Sequence, residues 1–270
     1  NFDSDDFLLE DGHSIYGEDL EIEKNDKHSD WNETFADDKA KWCVVWTAAY
    51  QYWYGNNFGL KNPRSNSVSN MSLDIEVYYK NDTDFKNAIK DAGFEYDSSI
   101  YGFYVLSAST TYDDRILIRA KDRMSDGIFR SLIHEIAHFS LNTNQKSSLF
   151  YAEEENYRDT YTRGIEWYFI NNRYCAGDLK SSCGIFYIRH YIGLVQDLVD
   201  ANNDCADGFG TGSDKVSGFK IVDLENAFYA SRNLDELKSY IIKNLKSGEN
   251  GRSYTEKNLN MLFDYWKGSL

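Results

Sequence analysis

The stretch FRSLIHEIAHFSLN, residues 129–142, decides how the rest of the chain is read. On a helix turning about 100° per residue, Ile128, Phe129, Leu132, Ile133, Ile136 and Ala137 cover one broad apolar face. His134 and His138 lie one turn apart on the other side, with Glu135 on their flank. Two imidazoles at this spacing can reach one ion, and the neighbouring carboxylate can reach a water bound to it. Zinc suits such a site, because it brings the pKa of its water to about 7 and the glutamate can then take the proton. The plain alternative is a surface helix with an accidental match. The apolar face and the alternating stretch RILIRA (115–120) just before the helix favour the metal.

Catalytic zinc takes three protein ligands and leaves a position open for water. No third histidine follows at metzincin spacing, and His13, His28 and His190 stand at no recognised spacing. The next helix, AEEENYRDTYTRGIEWYF (152–169), offers Glu155, Asp159 and Glu166 on one face, any of which can look toward the ion. The Glu153–Glu155 run also reads as an acidic helix start favoured by the dipole. Glu166 also reads as a salt-bridge partner of Arg163 or Arg173.

At 270 residues, 41% hydrophobic and 16% aromatic, the chain is long and apolar enough to fold around a substantial core. A net charge of −15 argues against nucleic acid and anionic membrane surfaces. No apolar run has the length of a membrane span, and no membrane insertion is expected. No signal peptide is visible; the opening NFDSDDF reads as a mature terminus or a trimmed end. Cys43, Cys175, Cys183 and Cys205 form no CxxC pair. Cys175 and Cys183 flank a short loop that a disulfide can close, which leaves Cys43 with Cys205; an even count fits an oxidising compartment, and four reduced, buried thiols are the alternative.

Residues 1–36 are acidic and weakly periodic, and read as an extended or partly disordered lead-in or a pro-like segment. Asp37 to Tyr54 reads as a helix, with Trp42, Val45, Trp46, Ala49 and Trp53 at three- and four-residue steps and Gly55 as a stop. Ser72 to Tyr79, Tyr101 to Ala108 and Arg115 to Ala120 read as strands, and Asp84 to Ala92 as a short helix. Ser125 or Asp126 can cap the helix of His134. Helices follow over Ala152–Arg173, Ile185–Val199, Lys220–Ser231, Asn233–Leu245 and Thr255–Trp266. Strands first and helices later make an α+β chain: a small N-terminal mixed sheet with helices, then a mostly helical C-terminal part. Residues 37–270 are expected to form one catalytic domain, with an upper α/β part over 37–142 and a lower helical part over 143–270.

The stretches TAAYQYWYGNNFGL (47–60), HEIAH (134–138), DTYTRGIEW (159–167), VSGFKIVDLENA (216–227) and NLNMLFDYW (258–266) resemble, in that order, an uncharacterised group of secreted bacterial gluzincin-like proteins. HEIAH is specific by itself; the others are specific as an ordered set. The resemblance implies a zincin-like fold, a zinc cofactor and peptide hydrolysis. It also implies an acidic third ligand about 20 residues after the second histidine, with a small residue three positions later. Asp159 stands 21 positions after His138, with Thr162 as the small residue. The group would have glutamate where Asp159 stands. Aspartate is one methylene shorter and needs a closer helix; if it does not reach, Glu155 ligates and Asp159 orients a zinc histidine.

His190 or Tyr191, in YIRHYIGL (187–194), is a candidate donor to a developing oxyanion, against an ordinary packed helix. RILIRA could serve as an edge strand that pairs with an extended peptide, or be an interior strand. Asp200, Asn202 and Asp204 alternate as in a calcium loop, but Cys205 and Thr211 stand where glycine and glutamate are needed, so a disulfide-held polar loop is the stronger reading. Asn32, Asn70 and Asn81 head glycosylation triplets.

These readings converge on a secreted or cell-surface, monomeric zinc metallopeptidase acting on a protein or peptide. His134, His138 and Asp159 are its metal ligands and Glu135 its general base. The competing expectation is a binding or adhesion module with a structural or vestigial metal. A third is a precursor covered by residues 1–36.

Overall fold

The computed structural model describes residues 8–10, 38–63, 73–105, 114–145, 155–174, 193–200 and 215–269. Among these, the chain divides into two compact units. One gathers Asn1–Tyr50 and Ser65–Leu132; the other gathers Gln51–Arg64 and Ile133–Leu270. The class is mixed α+β and mostly helical. The division falls inside the HEIAH helix, ten residues before the boundary expected at 142.

In the first unit, α1 spans Asp38–Trp53 and continues into the second, β2 spans Leu73–Tyr78, α2 Asp82–Asp91, β3 Gly102–Val105 and β4 Asp114–Arg119. Leu8–Glu10 form a strand, β1, so the acidic lead-in contributes to the sheet. The order is β1-β2-β4-β3, with β1 and β4 parallel to β2 and β3 antiparallel to β4. The sheet is mixed, as expected. RILIRA, however, is no edge: β4 pairs on both sides, and the outer strand there is β3.

Both faces of β4 are used, which is why its alternation misleads. Ile116 and Ile118 are fully buried on one face. On the other, Leu117 joins Tyr78, Phe85 and Ile89 in a core beneath α2. The flanking arginines are satisfied by distant carboxylates: Arg115 pairs with Glu76 at 2.9 Å, and Arg119 grips both oxygens of Asp82. Asn81 caps α2, accepting from the Asp84 N–H at 3.0 Å and donating to the Asp84 carboxylate at 2.8 Å. The amide of that glycosylation triplet is therefore already engaged.

The HEIAH helix, α3, spans Ser125–Asn144. Its first bond runs from the Ile128 N–H to the Met124 carbonyl, so Ser125 and Asp126 lie in the first turn and not before it. Asp126 there suits the helix dipole. The helix is more deeply buried than its wheel suggests, with Leu132 to Ala137 all buried.

In the second unit follow α4 (Glu155–Tyr174), α5 (Gly193–Val199), α6 (Ile221–Tyr229), α7 (Leu234–Asn244) and α8 (Glu256–Ser269). Helix α4 packs on α5 and α6, α8 on α5 and α7, and α6 on α7. Gly164 lets α5 close on α4, since a Cβ there would lie 2.5 Å from the Val195 side chain. The 55–63 loop is tied down by Phe58, whose ring sits edge-on to Tyr168 and Phe169.

Cys43 is a free thiol, so the Cys43–Cys205 bridge expected by subtraction does not form. Cys175, Cys183 and Cys205 lie outside the described residues, as do His13, His28, His190, Tyr191, Asn32, Asn70, Asn202 and Asp204. Asp200 is described: it is buried just after α5, where its N–H donates to the Gln196 carbonyl at 2.8 Å and closes the helix. No helix among the described residues is long and apolar enough to cross a membrane.

Candidate metal centre

His134 and His138 follow each other by one turn of α3, and Asp159 faces them from α4. Their ligand-type atoms all lie within 4.8 Å of one another, and this His-His-Asp group could hold a metal ion. His134 Nε2 and His138 Nε2 are 3.2 Å apart. His138 Nε2 and Asp159 Oδ1 are 3.6 Å apart. Tetrahedral ligands bonded to zinc at 2.0–2.1 Å stand about 3.3 Å from each other, and these two separations lie close to that value, with the third within 4.8 Å. Asp159 Oδ1 comes within this group from α4 despite the short aspartate side chain.

Glu166 is not a member of this group. Its carboxylate, wholly buried, lies 3.1 Å from His134 Nδ1 and accepts from Arg163 at 2.8 Å. The bridge to Arg163 was legible in the sequence at three-residue spacing; the contact with His134, 32 positions away, was not. An acidic acceptor on Nδ1 fixes the proton there and leaves the Nε2 lone pair for a metal. Glu155 begins α4, but its side chain lies outside the described ones.

Glu135 is buried, and helical spacing puts it on the flank of the histidines. Arg163 feels the charges of Glu166, Asp159 and Glu135, so one guanidinium offsets three carboxylates. Burial, then the neighbouring His134 imidazole and the positive charges of Arg158 and Arg163, pulls the His138 pKa well below 6.5. Its imidazole is therefore neutral, the form that ligates metals.

A second polar cluster, absent from the sequence reading, lies in the same unit. The Glu225 carboxylate is fully buried and accepts from the Lys61 backbone N–H at 2.9 Å and from Tyr229 at 2.8 Å. Burial pushes its pKa up to about 7. The available signal was a glutamate in the apolar stripe of IVDLENAFY, four residues after Ile221 and three before Phe228.

Compared with protein-family models, curated proteins and solved structures, the chain matches none of them.

Proposed function

We propose that this chain is a secreted or surface-displayed zinc-dependent peptide hydrolase with a zincin-like arrangement. His134, His138 and Asp159 hold the ion, and Glu135 is the general base. The observation that carries this reading is the convergence of three ligand-type atoms, together with a buried glutamate next to His134 in the chain. The ordered gluzincin-like stretches support it.

Zinc bound there would supply Lewis acidity, bringing a coordinated water's pKa to about 7 and polarising a substrate carbonyl. The chain's own residues do the rest. Glu166 holds His134 in the tautomer that presents Nε2. Glu135 takes the proton of the attacking water and returns it to the leaving amine. Arg163 keeps positive charge beside Glu166 on the same helix, and Glu166 in turn ties α4 to His134. The net charge of −15 disfavours nucleic acid without selecting a substrate; a protein or peptide is the substrate that the gluzincin-like stretches favour.

The test is peptide-library cleavage at neutral pH by wild type and Glu135→Gln, with bound metal measured in both. The reading predicts cleavage by wild type, equal metal in both, and a loss of about 10²–10⁴-fold in the variant. Equal metal with no cleavage by either protein would favour the binding module.

A further inference from the structure

A carboxylate as deeply buried as Glu225 normally meets a guanidinium or an ammonium. Here it meets a chain of hydroxyls. Its Oε1 accepts from Tyr229 at 2.8 Å and lies 3.4 Å from the Tyr161 hydroxyl, while both oxygens accept from the Lys61 N–H. The Tyr161 and Tyr229 hydroxyls are 3.2 Å apart, and Ser140 Oγ is 2.9 Å from Tyr229. Ser140 also reaches the Lys61 carbonyl at 3.4 Å. The Lys61 ammonium lies over the Tyr229 ring at 5.2 Å, and the buried Tyr52 hydroxyl lies near Ser140 and Tyr161.

The ends of this chain fall at informative places. Ser140 stands two residues after His138 on α3, and Tyr161 two residues after Asp159 on α4. Two residues turn a helix by about 200°, so the cluster grips both ligand-bearing helices on the sides turned away from the ligands. The separations of His134 and His138 from Asp159 both depend on how α3 and α4 are spaced, and the second is 3.6 Å. Glu166 fixes that spacing from the ligand side, through His134. The Glu225 cluster fixes it from behind.

We propose that Glu225 is a positioning residue for the metal centre: through Tyr229, Ser140 and Tyr161 it sets the spacing of α3 and α4, and so the distance between His138 and Asp159. This rests on the metal-site reading above. An apolar side chain at 225 could fill the same space, but would fix no distance between the two hydroxyl-bearing helices. Rotating hydroxyls can also serve a carboxylate, a carboxylic acid or an amide.

The probe is Co²⁺, whose visible bands report ligand geometry. Its affinity and spectrum are measured in wild type, Glu225→Ala, Glu225→Gln, Tyr161→Phe and Tyr157→Phe. Tyr157 is the control, because its buried hydroxyl also joins α4 to α6 but donates to the Phe228 backbone carbonyl, at 2.9 Å, and not to the Glu225 carboxylate. The expected result is an affinity loss of about tenfold with altered bands in Glu225→Ala and Tyr161→Phe. Glu225→Gln should restore the wild-type spectrum, and Tyr157→Phe should lower the melting temperature without altering the bands. If Glu225→Ala does not fold, the two tyrosine variants decide. Equal changes in Tyr161→Phe and Tyr157→Phe, or no change in Tyr161→Phe, would overturn the proposal. Failure of wild type to bind Co²⁺ at all would instead overturn the metal-site reading, and this inference with it.

Discussion

Glu166 Oε2 lies 3.1 Å from His134 Nδ1, and the same oxygen accepts from Arg163. One buried carboxylate thus orients a metal-facing imidazole and ties it to a fixed positive charge. Replacing Glu166 with Ala leaves the His134 ring free to rotate and removes the partner of Arg163. The expected loss is about 10–100-fold in zinc affinity, read by chelator competition. The metal-free protein should also lose roughly 1–3 kcal/mol in urea unfolding, because Arg163 is partly exposed and keeps Asp159 and Glu135 nearby. Unchanged zinc affinity would show that His134 is oriented by something else.

Glu225 makes a prediction about pH. Its folded pKa, about 7, lies above the ordinary 4.5, so the folded state holds the proton more tightly than the unfolded state. Its contribution therefore falls as pH rises from about 4.5 to 7, by at most about 3 kcal/mol. Glu225→Gln does not ionise. Its stability relative to wild type should rise between pH 5 and pH 8, measured by urea unfolding of the metal-free proteins. A difference that stays constant with pH would contradict this sign.

Gly164 sets propensity against space. Alanine in mid-helix is worth up to about 1 kcal/mol over glycine. The Cβ it adds would meet the Val195 side chain at 2.5 Å. Overpacking costs about 1–3 kcal/mol, so the clash wins and Gly164→Ala should lower the melting temperature. Gly164→Ala combined with Val195→Ala should recover part of the loss.

Asn81→Ala tests the first unit alone. It removes the cap of α2 and should cost about 1 kcal/mol. Its zinc content should equal that of wild type.

The sequence was most informative where local periodicity and burial agree. Leu73, Ile75 and Val77 alternate in β2, and they are buried. The histidines and Glu135 fall together by helical spacing alone, and Asp159 was reachable by counting from His138. What escaped depends on residues far apart in the chain. RILIRA looked half-exposed because its arginines find Glu76 and Asp82, 39 and 37 positions away. The strand Leu8–Glu10 is too short to show a pattern, and its pairing with β2 defines it. Glu166 and Glu225 carry the largest surprises, since a buried carboxylate is recognised by its partners and not by its neighbours in sequence.

The central claim is that His134, His138 and Asp159 hold one catalytic zinc ion. Elemental analysis of zinc per chain, on wild type and His138→Ala prepared in parallel, tests it most directly. The account predicts about one zinc in wild type and none in the variant, as expected for a site with three protein ligands. Wild type that stays free of zinc after zinc is offered and the excess removed would contradict it.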